Sequence, residues 1–235
     1  DVYKRQLTYS GSGAPSVEGI NFKAMKGQTI GIIGGTGSGK SSLVNLIPRL
    51  YDATQGEVLV DGVNVKDYDI EALRNKVGIV MQKAVLFKGT IRENMWMGKK
   101  GATDEQIDEA LEISQSKEFV DSKQGRLDYV IEQGGKNLSG GQRQRLTIAR
   151  AIVRKPDVLI LDDSASALDF ATDAALRKAI RGMNNSPTVF IVSQRAASLM
   201  YADLIIVLDD GQVAGMGTHD ELLANCEVYK EIYES

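Results

Sequence analysis

The stretch GGTGSGKSS at 34–42 constrains the fold more than any other part of the chain. Gly34, Gly39, Lys40 and Ser41 fit the pattern Gly, four residues, Gly-Lys-Ser, between an apolar run, TIGII, and a helical pattern. Glycines at this spacing let the main chain wrap phosphate oxygens with its amides pointing inward, and a helix N-terminus behind them adds partial positive charge. Gly35, Thr36, Gly37, Ser38, Gly39, Lys40, Ser41 and Ser42 are therefore expected to bind a nucleoside triphosphate. Lys40 would reach the β- and γ-phosphates, and the Ser41 hydroxyl would ligate Mg2+. The motif requires a strand before it and a helix after it, which points to an α/β fold.

Short β-rich runs alternate with longer helical patterns along the chain, the signature of an α/β domain with a mostly parallel sheet. After the loop, KSSLVNLIPRLYD reads as a helix with Pro48 inside it. GEVLVDGVNV (56–65) reads as a hairpin turning at Asp61-Gly62, and KVGIVMQ (76–82) as a short strand. From about 89 to 152 helical segments prevail. In TDEQIDEALEISQ, Thr103 and Gln106 have capping-box spacing. GQRQRLTIARAIVRK (141–155) reads as an amphipathic helix ended by Pro156. Strands return at 157–162, 188–193 and 203–217, the last turning at Asp210-Gly211. The expectation is one domain over 1–235, with a β-rich core at about 7–83 and 156–235 and a helical insert at about 84–155.

The chain has 235 residues, 43% of them hydrophobic and 25% charged, enough to bury a core and stay soluble. A net charge of −3 without a long Lys/Arg run favours neither nucleic acid nor an anionic membrane as partner. The longest apolar runs, such as LIIVL at 204–208, are too short to span a bilayer. One cysteine, Cys226, cannot form an internal disulfide, and no secretory signal opens the sequence, so a cytoplasmic setting is expected. The first residue is Asp1 rather than Met, and DVYKRQ (1–6) reads equally as a native chain end or as an assembly scar.

A second chemical signal lies in VLILDD (158–163). Val158 to Leu161 form a run expected to be buried on both faces of a sheet. Asp162 at its end is placed to hold Mg2+ opposite the phosphate loop. Asp163 is the candidate to polarise an attacking water, or else a second acid that only tunes the metal site.

LSGGQ at 138–142, set between the phosphate loop and VLILDD, resembles the signature of ATP-binding-cassette (ABC) ATPases, and the resemblance covers nearly the whole chain. It implies a P-loop NTPase (RecA-like) core with a mixed sheet and an inserted all-helical ABC subdomain. It implies ATP and Mg2+ as ligands, with Ser41, Gln82 and Asp162 at the metal. Tyr9 resembles the aromatic that stacks on adenine, and Gln82 the glutamine that touches Mg2+ and senses a transmembrane partner. Ser139, Gly140, Gly141 and Gln142 would close over the ATP of a second ABC domain packed head to tail. Asp169, in SALD (166–169), would face that partner. LFKGTIRENM (86–95) looks like exporters, whose ATPase domains sit at the cytoplasmic face of the membrane through an attached transmembrane domain, here absent.

Two positions depart from the family pattern. Asp163 stands where the family has glutamate, which shortens the arm by about 1 Å, and misplacement on that scale can cost ~10²-fold in rate. Gln194 stands where the family has a switch histidine; it can hydrogen-bond a phosphate but cannot become a cation. His219, in GTHDELL, reads as a helix-start residue and does not restore the switch. Upstream of the signature, Gln133 stands where exporters carry an acid. The pattern resembles the degenerate half of a heterodimeric exporter whose partner carries the missing Glu and His. A slow homodimer, a nucleotide-gated module without turnover, and a soluble ABC protein of DNA repair or translation are the alternatives.

Overall fold

The computed structural model describes residues 2–7 (as backbone), 16–164 and 167–234. Tyr9 and Ser166, both named above, lie outside the described residues. The chain divides into two compact units, Asp1–Val77 with Thr188–Ser235, and Gly78–Pro187.

The first unit begins with β1 (Val2–Leu7), β2 (Val17–Phe22), β3 (Thr29–Ile33), α1 (Lys40–Asn45), β4 (Gln55–Val60), β5 (Val63–Asn64) and α2 (Ile70–Lys76). The second holds β6 (Val77–Val80), β7 (Gly89–Thr90), α3 (Ile91–Gly98), α4 (Asp104–Ile113), α5 (Lys117–Asp121), β8 (Val130–Ile131), α6 (Gly140–Ile152), β9 (Val158–Asp162) and α7 (Phe170–Arg181). The chain returns to the first unit with β10 (Thr188–Ser193), β11 (Leu204–Asp209), β12 (Gln212–Gly217), α8 (His219–Asn225) and α9 (Glu227–Glu234).

In the first unit β3 lies between β10 and β11, parallel to both, and β12 adds antiparallel to β11. Every residue of β3 and β10 is buried, as expected of parallel strands covered on both faces. Ile30, Ile32, Val189 and Val192 are at most 4% exposed, and each such side chain contributes about 1.5–3 kcal/mol by leaving water. The sheet is mixed, as the family resemblance implied. An antiparallel sheet of order β2-β1-β4-β5 completes the unit. Both hairpin turns form where expected: Asp61 and Gly62 (φ 51° and 76°) join β4 to β5, and Asp210 and Gly211 (φ 42° and 80°) join β11 to β12. Left-handed φ at both turn residues matches the twist of the strands they connect.

Two local readings need correction. DVYKRQ, read above only as a native chain end or a scar, contributes a strand: the backbone of Val2–Leu7 pairs antiparallel with β2 on one side and β4 on the other. Main-chain partners distant in sequence, rather than the composition of VYKRQL, decide its state. The helix after the phosphate loop ends at Asn45, before Pro48 rather than around it. Proline removes an N–H donor and disfavours helical geometry just before it. The chain accordingly passes into tighter turns, with the Ile47 and Arg49 amides donating to Val44 and Leu46 carbonyls three residues back.

In the second unit β6 and β9 are sheet neighbours. Helix α6 carries its main apolar face, burying Leu146, Ile148, Ala149, Ala151 and Ile152, and α3 and α4 pack against it. A Cβ added at Gly98 would stand 2.0 Å from the Arg150 carbonyl oxygen, so glycine permits this approach of α3 to α6. The Thr103–Gln106 capping box starts α4 as the spacing implied. Beside the helices, β7 and β8 form a two-residue antiparallel ladder.

Candidate functional site

Helix α1 follows the glycine loop directly. Gly39 precedes it with φ 92°, and a Cβ there would meet Val17 Cγ1 at 2.4 Å and the Ser16 carbonyl oxygen at 2.6 Å. A side chain at Gly34 would stand 2.1 Å from the Leu208 carbonyl oxygen. Glycine at these two positions is therefore enforced by the unit's own packing as well as by room for a ligand. No side chain caps α1 and no acid lies in its first turn, so its leading amides keep their capacity for an anion. Gly35, Thr36, Gly37 and Ser41 are exposed, while Ser38 and Lys40 are buried and Ser42 is half-buried. The Lys40 ammonium donates to the carbonyls of Gly34 (2.8 Å) and Gly35 (2.6 Å) and approaches Ser38 Oγ at 3.4 Å. The loop thus folds over its own lysine, and an incoming phosphate would offer the ammonium stronger acceptors.

Gln194 belongs to the same unit. Ser193 is the register partner of Ile33 in the parallel pair, so Gln194 leaves β10 at the level where the chain after β3 enters Gly34. Its side chain is exposed, with a donor and an acceptor to present.

In the second unit the ends of β6 and β9 bring two more of the expected residues together. Asp162, the last residue of β9, is 4% exposed. Asp163 follows with φ 45°, a left-handed conformation that aspartate tolerates better than longer side chains. Gln82, just beyond β6, donates from Nε2 to Asp163 Oδ2 at 3.2 Å. Among the described residues no group of three or more His, Cys, Asp and Glu stands together as a metal site would. The donor set expected for Mg2+, the Ser41 hydroxyl, the Gln82 carboxamide oxygen and the Asp162 carboxylate, is made of hard oxygens only, which suits an ion that completes its shell with water and phosphate.

The LSGGQ segment has a structural reason of its own. Ser139 Oγ accepts from the Gln142 amide at 3.2 Å, and Gln142 Oε1 accepts from the Ser139 amide at 3.1 Å. This capping box fixes the start of α6. The Ser139 hydroxyl proton is not used in it and stays available to an acceptor. Ser139 and Gly140 are exposed, and a Cβ on Gly141 would press on the Ala167 carbonyl oxygen at 3.3 Å.

Asp169 caps α7: Oδ1 accepts from the Thr172 amide at 2.9 Å and Oδ2 from its hydroxyl at 2.8 Å. These bonds hold its carboxyl below the usual carboxylate range. Arg150, missed in the sequence, supports the stretch after Gln82. Its Nη2 donates to the Val85 carbonyl at 2.9 Å and its guanidinium lies 5.9 Å from the Phe87 ring centre, while burial pushes its pKa down. Its position within an amphipathic helix gave no signal for a contact 65 residues away.

A family model described as ABC transporter matches residues 17–166. A Staphylococcus aureus protein named "Putative multidrug export ATP-binding/permease protein" is 38% identical over 233 residues, covering 99% of this chain and 40% of that protein. A Mycobacterium bovis protein named "Uncharacterized ABC transporter ATP-binding protein" is 44% identical over 232 residues, covering 97% of this chain and 40% of its own length. The chain thus spans about two fifths of these relatives. The solved structure of a bacterial Atm1-family ABC exporter with ATP bound superposes with a TM-score of 0.92 at 31% identity, covering 98% of this chain and 41% of that one.

Proposed function

The chain belongs to the ABC transporter family, and on that premise we propose that it is the ATP-binding and hydrolysing domain of an exporter. Family membership implies ATP binding. The observation that carries the reading is Lys40 enclosed by the carbonyls of its own glycine loop at the start of α1, which supports its use as a phosphate-binding residue. The exporter assignment is supported by a relative named as an export ATP-binding/permease protein, of which this chain spans 40%. The remainder would supply the transmembrane domain, with this chain at the cytoplasmic face.

In this reading the amides of Gly35 to Ser42 bind the triphosphate, and the Lys40 ammonium exchanges its loop carbonyls for phosphate oxygens, which are stronger acceptors. Ser41, Gln82 and Asp162 would hold Mg2+, which when bound supplies positive charge against the phosphate oxygens. Asp163 accepts a proton from the attacking water, and Gln194 orients the γ-phosphate by hydrogen bonding. Ser139 and the first amides of α6 donate to the nucleotide of a second ABC domain, arranged head to tail, and Asp169 lies in the segment facing it.

Asp163 and Gln194 make this chain's own site a slow one, while Ser139–Gln142 complete the site of a partner that carries Glu and His. Steady-state ATP hydrolysis by this chain, alone and mixed with candidate partner domains, tests the reading. Low turnover alone and a large gain with one partner are expected. Absence of ATP binding would overturn the assignment, and equal turnover with and without every partner would leave only the slow homodimer.

A further inference from the structure

The neighbouring strands β6 and β9 end close together, and just beyond them Gln82 Nε2 lies 3.2 Å from Asp163 Oδ2. We propose that Gln82 is the positioning residue of Asp163, holding its carboxylate in one orientation through the side-chain amide. The proposal rests on the reading of Asp163 as the group that polarises water.

Chemistry fixes the polarity of the contact. An ionised carboxylate only accepts, so the amide nitrogen of Gln82 must face it and the carboxamide oxygen must point elsewhere. Asp163 needs such a partner more than a glutamate would. Its backbone is held at φ 45° and its arm is short, so the direction of its carboxylate depends on what bonds to it. Gln82, one methylene longer than asparagine, spans the gap between the two strand ends. The stretch behind Gln82 is itself held, because Arg150 on α6 donates to the Val85 carbonyl at 2.9 Å and lies against Phe87. The short acid is thereby given a fixed aim.

The test is a double-mutant cycle with Gln82→Ala and Asp163→Asn in the intact chain. ATP affinity, the Mg2+ dependence of binding and single-turnover hydrolysis would be followed together. An exposed hydrogen bond to a charged group predicts about a fivefold loss of hydrolysis for Gln82→Ala, and a smaller loss once Asp163 is asparagine, whose Oδ1 still accepts but carries no charge. Because Gln82 is also placed at Mg2+, Gln82→Ala weakens Mg2+-dependent ATP affinity by the same factor in both backgrounds, so hydrolysis is compared at saturating ATP and Mg2+. Equal losses of saturated single-turnover hydrolysis in both backgrounds would overturn the positioning role. Where Asp163→Asn leaves too little turnover to measure, the contact is read directly in nucleotide-free protein. The side-chain amide resonance of Gln82, assigned by its disappearance in Gln82→Ala, is expected to shift on Asp163→Asn, and an unmoved resonance refutes the contact. Failure to bind ATP in every variant would count against the family-based function and leave the resonance test standing.

Discussion

Lengthening the acid at position 163 is the sharpest perturbation of the proposed site. Asp163→Glu extends the carboxylate by about 1 Å, a distance on which ~10²-fold in rate, or ~2.7 kcal/mol of barrier, can turn. The backbone opposes the change, because residue 163 sits at φ 45°, where aspartate is tolerated and glutamate is less at home. That conformational cost is about 1 kcal/mol, which lowers the melting temperature of a chain this size by about 2–4 °C. The barrier effect exceeds the folding cost, so turnover rises while stability falls slightly. Adding Gln194→His restores a side chain that can carry a proton, and the double variant is expected to exceed the single one. Phosphate release at saturating ATP and Mg2+, with ATP affinity and thermal melting measured in parallel, reads all three effects. A double variant that binds ATP normally yet hydrolyses it within about twofold of the parent would refute the reasoning, since a 1 Å displacement would then carry no penalty here.

Gly39→Ala places a methyl group within 2.6 Å of both Val17 and Ser16 at a left-handed φ, so calorimetry is expected to show ATP binding abolished or weakened by more than about tenfold. Gly98→Ala drives a methyl group to 2.0 Å from a backbone oxygen of α6, and overpacking of about 2 kcal/mol lowers the melting temperature by about 4–8 °C without changing ATP affinity. Asp169 has its carboxyl pKa lowered by Thr172 in the folded chain, so the stability it adds is complete above the unfolded value of about 4 and is lost as pH falls through the lower folded value. Melting curves of Asp169→Ala and the parent are therefore expected to differ by a constant amount from pH 8 to about pH 5 and to converge under strong acid.

What was legible in the sequence was what short-range chemistry dictates. The glycine loop, the Asp61-Gly62 and Asp210-Gly211 turns and the Thr103 capping box each depend on residues within a few positions of one another, and each stands where the spacing put it. The place of β1 between β2 and β4 was hidden, because its ladder partners lie up to 56 positions away and its own residues look polar. The Gln82–Asp163 bond spans 81 positions, and only the adjacency of β6 and β9 creates it. Gln142 was read as part of a recognition signature, and its bond to the Ser139 amide was missed although a Ser and a Gln three residues apart do announce a capping box.

That capping box has a kinetic consequence. Because Ser139 and Gln142 satisfy each other's amides within one chain, the start of α6 keeps its shape with nothing bound to it. A nucleotide presented by another molecule would meet a rigid rim and would not have to order a loose one, so little conformational entropy is surrendered on contact. Association would then proceed in a single phase set by encounter, and the lifetime of the closed pair would depend on what happens to the nucleotide between the two rims.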